Sequence, residues 1–384
     1  MTAGSDEKVE GEAADSTVAS GPGAAGAARP WWRDPAWWLR CLLTYAIALV
    51  GGAVAAQLSV PLPWMLGPFF LCGALCVLGL RLAFLPMGRE LGQMSVGLAV
   101  GLRFTPATLA ATASLLPAML GATLYIIAFT FIAALIFRPL AGVDRVTAFF
   151  ATAAGGVADM AIVAKQHGGD SSAVAIVHAL RVSSVVAVVP VLVISFGAPG
   201  GAPDATAGAA QDLLLLGLAL ALAYIVARLL KPTPLPNPWL VGPIFLGLAL
   251  GASGLMNIAV PPLLIILAQI AIGTWLGCQF RREVLLAVPR VAAAGFVVSL
   301  FMIVAAAAGS FVLTALTGLP VTTAFLSLAP AAVTEMVITA KVMHLDAEIV
   351  TAFHIMRIAI VCTTVLLVFR FYCYLTGVPY GSRA

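Results

Sequence analysis

The residues able to do chemistry are few, and they gather in two places. Asp159, Lys165, Asp170, His178 and Arg181 form one group; Glu335, Lys341, Asp346, His354 and Arg357 form the other, with His344 and Glu348 added. Each of the five in the second group follows its counterpart by 176 positions. Both groups interrupt long apolar stretches. An ionisable side chain at membrane depth costs roughly 2.5–3.5 kcal/mol on insertion scales, so it needs a partner or a purpose. As a functional set, Asp159 and Glu335 would bind a proton, a cation or a basic group. Lys165, Lys341, Arg181 and Arg357, with His178 and His354, would hold an anionic solute. As a structural set, acids and bases would neutralise each other and pin the two groups together. Asp159 and Lys165 are six apart, about 240° around a continuous helix, so they would not pair within it. His178 and Arg181 are three apart and share a face.

The backbone beside the acids carries helix breakers. Gly155 and Gly156 precede Asp159, and Pro330 stands at the corresponding place before Glu335. Irregular backbone persists at membrane depth only where it is buried in protein or lines a cavity. Interrupted helices in matching positions of two halves point to a carrier's binding site, because the half-helix ends present unpaired N–H and C=O groups. A kink that lets helices pack closely is the plainer alternative. The Pro63-Trp64 and Pro238-Trp239 pairs, each followed by Gly-Pro, read as helix starts with the indole at an interface.

These groups must be carried by membrane helices. Of 384 residues, 62% are hydrophobic and 9% charged, and the mean hydropathy is +1.07. Soluble domains run near 45–50% apolar and about 25% charged. Windows of about 20 residues without a charge are the length that crosses the hydrocarbon layer. The apolar stretches fall near 39–58, 64–80, 88–102, 114–137, 147–165 and 172–196, then near 212–230, 239–256, 261–280, 288–316, 321–341 and 347–376. Continuous apolar runs, without short alternating segments, indicate helices rather than a barrel. The expected organisation is a disordered tail over 1–37, a first repeat over 38–196, a Gly/Pro/Ala linker over 197–211, a second repeat over 212–377 and a short tail over 378–384. The first tail ends in Trp31, Trp32, Trp37 and Trp38 with Arg33 and Arg40, an interfacial composition.

Duplication is the most informative feature. Gln93, Gly97, Gly101 and Phe104 return as Gln269, Gly273, Gly277 and Phe280, and Gly142–Arg181 returns without a gap. Apolar matches arise easily in such a sequence; an ordered series of polar ones does not. If all twelve stretches crossed, the loops with Arg228/Lys231 and Arg281/Arg282/Arg290 would fall outside, against the preference of basic loops for the cytoplasm. If one stretch per repeat fails to cross, both loops move inside and the repeats are inverted. The fifth stretch, carrying the breakers and the acid, is the preferred one, although omitting the sixth satisfies the charges equally. The expected fold is thus an all-α integral membrane protein of two repeats, inverted, with 10–12 transmembrane or re-entrant helices.

Several chemistries lack their residues. No H-x-x-x-H run, Walker-type phosphate loop or DNA-binding arm is present, so no metal, cofactor, ATP or nucleic acid is expected. The six cysteines lie mostly in apolar segments and read as small buried hydrophobes.

The paired Pro-Trp-x-x-Gly-Pro, Gln-x-x-x-Gly, Asp/Glu-Met-x-Ile-x-Ala-Lys and His-x-x-Arg motifs resemble the AbrB duplication family of bacterial inner-membrane proteins. The resemblance covers about 39–377 and places Asp159, Lys165, His178, Arg181 and their counterparts on the family's best-marked stretches. It implies a multi-pass protein of the bacterial inner membrane, and the basic loops would put its N-terminus in the cytoplasm. Members have been labelled regulators of gene expression and also ammonia monooxygenases. The residues fit neither direct DNA binding nor a monooxygenase ligand set. The expectation is a secondary carrier of a small solute coupled to a proton or cation, not an enzyme. Its partners would be the lipid bilayer and the solute, with a homo-oligomer left open; a membrane sensor acting indirectly on gene expression is the alternative.

Overall fold

A computed structural model of the chain describes residues 34–196, 213–233, 235, 237–253, 258–280 and 288–377. The tail before residue 34, the linker 197–211, Arg281, Arg282 and the tail 378–384 lie outside the described residues. Within them the chain is all helix: α1 (Pro35–Gln57), α2 (Pro63–Val77), α3 (Gly88–Gly101), α4 (Pro106–Ser114), α5 (Leu116–Ala141), α6 (Arg145–Thr152), α7 (Val157–Gln166) and α8 (Ser171–Ser195), then α9 (Leu213–Leu230), α10 (Pro238–Ser253), α11 (Pro262–Gly277), α12 (Pro289–Thr317), α13 (Val321–Leu328), α14 (Val333–Val342) and α15 (Ala347–Thr376). Six of these are long and apolar enough to cross a membrane: α1, α5, α8, α9, α12 and α15. This is a multi-pass membrane protein.

Local sequence accounts for the boundaries. Helix α1 begins at Pro35, inside the expected tail, because Asp34 accepts a hydrogen bond from the Ala36 amide at 2.9 Å and proline suits the first helical position. Helices α2 and α10 both begin at the proline of their Pro-Trp pair. Each follows a residue in the left-handed region, Leu62 (φ 48°) and Asn237 (φ 53°). Residues 103–113, unassigned by hydropathy, supply a turn and α4. The chain bends 94° between α3 and α4, and Thr105 caps α4 by accepting from the Thr108 amide at 3.2 Å.

The repeats meet through exchanged, glycine-lined contacts. Helix α3 lies against α10 and α11 against α2. A methyl added at Gly97 would stand 2.5 Å from the Leu240 carbonyl oxygen, and one at Gly273 would stand 2.3 Å from that of Met65. Gly101 faces Ile244 at 2.4 Å and Gly277 faces Phe69 at 2.6 Å in the same manner. Contacts thus recur with the repeats interchanged, the signature of a pseudo-twofold. Helices α3 and α11 meet on its axis. There Gly88 faces Ala271 and Gly92 faces Ala268, so these twin helices run in opposite chain directions.

Candidate functional site

In each repeat the fifth apolar stretch is two short helices. Ala153-Ala154-Gly155-Gly156 separates α6 from α7, and Ala329-Pro330-Ala331-Ala332 separates α13 from α14. Both breaks leave the helical region in the same way, with Ala153 at φ −53°, ψ 140° and Ala329 at φ −55°, ψ 136°. Such a break strands the last carbonyls of the first half-helix and the first amides of the second.

The stranded carbonyls are met by the next helix. Arg181 on α8 donates through Nη1 to the carbonyls of Thr152 (3.1 Å) and Ala153 (2.9 Å), and through Nη2 to His178 Nδ1 (3.0 Å). His178 Nε2 donates to the Phe150 carbonyl at 2.9 Å. In the second repeat, Arg357 donates to Ala329 and Ala331, each at 2.9 Å, and to His354 Nδ1 at 2.7 Å; His354 Nε2 reaches Leu326 at 2.9 Å. With the arginine donating to Nδ1, each imidazole is neutral and carries its proton on Nε2. A guanidinium at the negative end of a half-helix is electrostatically favourable. The histidines and arginines thus lock the breaks, and neither imidazole keeps a ring nitrogen free to ligate. Each arginine retains an Nε–H without a hydrogen-bond partner among the described residues.

The acids occupy the opposite ends. Asp159 and Glu335 fall in the first turns of α7 and α14, where a negative charge complements the N-terminal amides. Here the likeness of the repeats stops. Glu335 is 1% exposed and Asp159 is exposed. Helix α14 is buried from Val333 to Ala340 and packs against α3. Its Thr334 hydroxyl accepts from Gln93 Nε2 at 3.0 Å and Asn237 Nδ2 at 3.2 Å. Glu335 Oε2 has no hydrogen-bond partner among the described residues, and Arg89, stacked over Trp275 at 4.1 Å, lies within electrostatic range of it. Helix α7 does not pack on α11 in the corresponding way, and Oε1 of Gln269, the twin of Gln93, is unpartnered among the described residues.

The remaining sequence candidates are peripheral. Lys165 is exposed and Lys341 half-buried near the ends of their half-helices. Asp170 caps α8, accepting from the amides of Ser172 (2.8 Å) and Ala173 (3.1 Å), while Asp346 accepts from Thr323 Oγ1 at 3.0 Å. Gly155, Gly156 and Pro330 lie in the breaks. Gly156 admits the acid beside it, since a methyl there would stand 2.6 Å from Asp159 Oδ2.

Sequence reasoning gave no site role to Gln93, Asn237, Thr334 or Arg89, and did not pair Arg103 with Glu348, which form an ion pair at 2.6 Å. Gln93 carried a signal, being a polar residue repeated in an apolar stretch. The others have no polar twin of the same kind: Leu62, Ala158, Ile265, Gln279 and Ser172 stand opposite Asn237, Thr334, Arg89, Arg103 and Glu348. Among the described residues, no group of three or more His, Cys, Asp or Glu side chains is placed to hold a metal.

A family model described as "Transition state regulatory protein AbrB" matches residues 64–372. The chain is 25% identical over 350 residues to the "Uncharacterized protein YhjN" of Bacillus subtilis (strain 168), an alignment covering 84% of this chain and 90% of that protein. No solved structure matches.

Proposed function

This chain belongs to the AbrB family, and on that premise we propose that it is a secondary carrier of a small solute, driven by a proton or cation bound at Asp159 and Glu335. One observation carries the reading. Two interrupted helices occupy twin positions, each with a carboxylate in the first turn of its second half, and one carboxylate is buried while the other is exposed. A structural counter-charge would be equally enclosed in both repeats. A carrier's acid must be reachable from water in one state and shut off in another.

The other candidates take graded parts. Arg181 and Arg357 hold the breaks open and offer their remaining Nε–H groups to an anionic solute. His178 and His354 orient those arginines. Lys165 and Lys341 lie nearer the surface and would draw the solute in. The opposed directions of α3 and α11 support an inverted arrangement of the repeats, and the basic loops support a cytoplasmic N-terminus in a bacterial inner membrane. The hydrogen-bonded state of both imidazoles weighs against a monooxygenase, which requires free ligand nitrogens.

The test is flux in proteoliposomes with a panel of small anions and amines under an imposed proton or sodium gradient. Asp159→Asn or Glu335→Gln should abolish gradient-driven uptake. Flux unchanged in both variants would defeat the assigned roles, and no flux with any candidate would turn the reading to a sensor.

A further inference from the structure

The two half-sites differ in a way that identifies an entrance. Ala154 and Gly155 are half-exposed, whereas their twins Pro330 and Ala331 are buried in protein; Ala153 and Ala329 are both buried, and Gly156 and Ala332 both half-exposed. Non-helical backbone and an exposed carboxylate do not face lipid, because the backbone groups and the charge would both be unsatisfied there. Cys362 on α15 is exposed and lies within electrostatic range of Asp159. A small cavity with an apolar wall adjoins the same break, lined by Ile127, Phe149, Ala153, Val361, Val365 and Val368 with the two threonines Thr130 and Thr364. It reaches α15 next to Cys362. Thr130 Oγ1 in its wall has no hydrogen-bond partner among the described residues.

We infer that the face of α7 carrying Asp159, with Cys362 opposite it, is a water-filled entrance that attracts cations, and that the Glu335 half-site is the same entrance in its closed form. This rests on the proposed carrier function only for its purpose; the exposure itself follows from the backbone. The closed form is held by ties that the open half lacks. Thr334 joins Gln93 and Asn237, and Arg103 joins Glu348. In the first repeat, Ala158 and Ser172 replace Thr334 and Glu348, so neither tie has an equivalent. The pseudo-twofold then prescribes the second state: α14 leaves α3, α7 docks on α11, and the entrance moves to Glu335.

Thiol modification in right-side-out and inverted vesicles tests this, on the full chain with Cys76→Ser, and with Cys362→Ser as the blank. Cys362 should react, several-fold faster with a cationic methanethiosulfonate than with an anionic one, and Asp159→Asn should abolish that preference. Val186 is the twin of Cys362 and fully buried. The Val186→Cys chain, with Cys362→Ser, should stay unmodified until Glu348→Gln is added. Glu348→Gln should also slow Cys362 several-fold, a readout that holds if Val186→Cys does not fold. Absence of Cys362 labelling would place the α7 face against lipid or a second copy and overturn the inference. Equal labelling of both positions, or none of these shifts with Glu348→Gln, would overturn it as well. The labelling pattern is read without solute, so it stands or falls separately from flux.

Discussion

Around residues 153–156 and 329–332 the chain makes nearly the same hydrogen bonds, from the same residue types, with partners 28 positions apart in both repeats. Yet α14 is buried against α3, and α7 is exposed over much of its length. The duplicated residues build the break; the residues that differ between repeats decide how it is covered. A duplicated mechanical part and an adjustable seal are therefore written in different positions of the sequence.

Removing an arginine should have the largest effect. Arg357→Met leaves the Ala331 carbonyl and an imidazole nitrogen without a donor, while Ala329 keeps only the Ala331 amide, a loss on the order of 3 kcal/mol. Arg181→Met should cost less: its acceptors Thr152 and Ala153 are buried, but the adjoining Ala154, Gly155 and Gly156 are half-exposed and can admit water to them. Thermal unfolding in detergent measures both, and an equal loss would mean that the two breaks are equally covered. The exchanged contacts between the repeats should instead respond alike. Gly97→Ala and Gly273→Ala push a methyl onto a carbonyl oxygen 2.5 and 2.3 Å away, and each should destabilise by about 1–3 kcal/mol. Unequal losses there would break the pseudo-twofold.

Smaller changes should sharpen the difference between the seals. Gln93→Leu removes a bond to Thr334 and should cost about 1 kcal/mol. Gln269→Leu relieves an unpartnered buried oxygen and should be neutral or slightly stabilising. The same melting assay separates the two. Glu348→Gln should cost about 1 kcal/mol or less, because the Arg103–Glu348 pair keeps some access to water.

Much of this was legible in the sequence, for reasons that differ by residue. The repeat, the breakers and the His-x-x-Arg pairs are local and duplicated, so they can be read directly. The roles of His178 and Arg181 could not be, since their acceptors at Phe150, Thr152 and Ala153 lie almost 30 residues back and meet them only in the packed bundle. The tie from Gln93 to Thr334 spans 241 positions and has no twin, so neither spacing nor repetition announces it. The bend between α3 and α4 was hidden because hydropathy tracks apolar content rather than direction.

The difference between the halves can be measured most directly by amide hydrogen exchange, comparing residues 157–166 with residues 333–342 in one nanodisc sample. Open helical amides in contact with water exchange far faster than those sealed in protein. Exchange in α7 should be at least ten-fold faster than in α14, and Glu348→Gln should narrow that gap. Equal protection of the two helices would contradict the account.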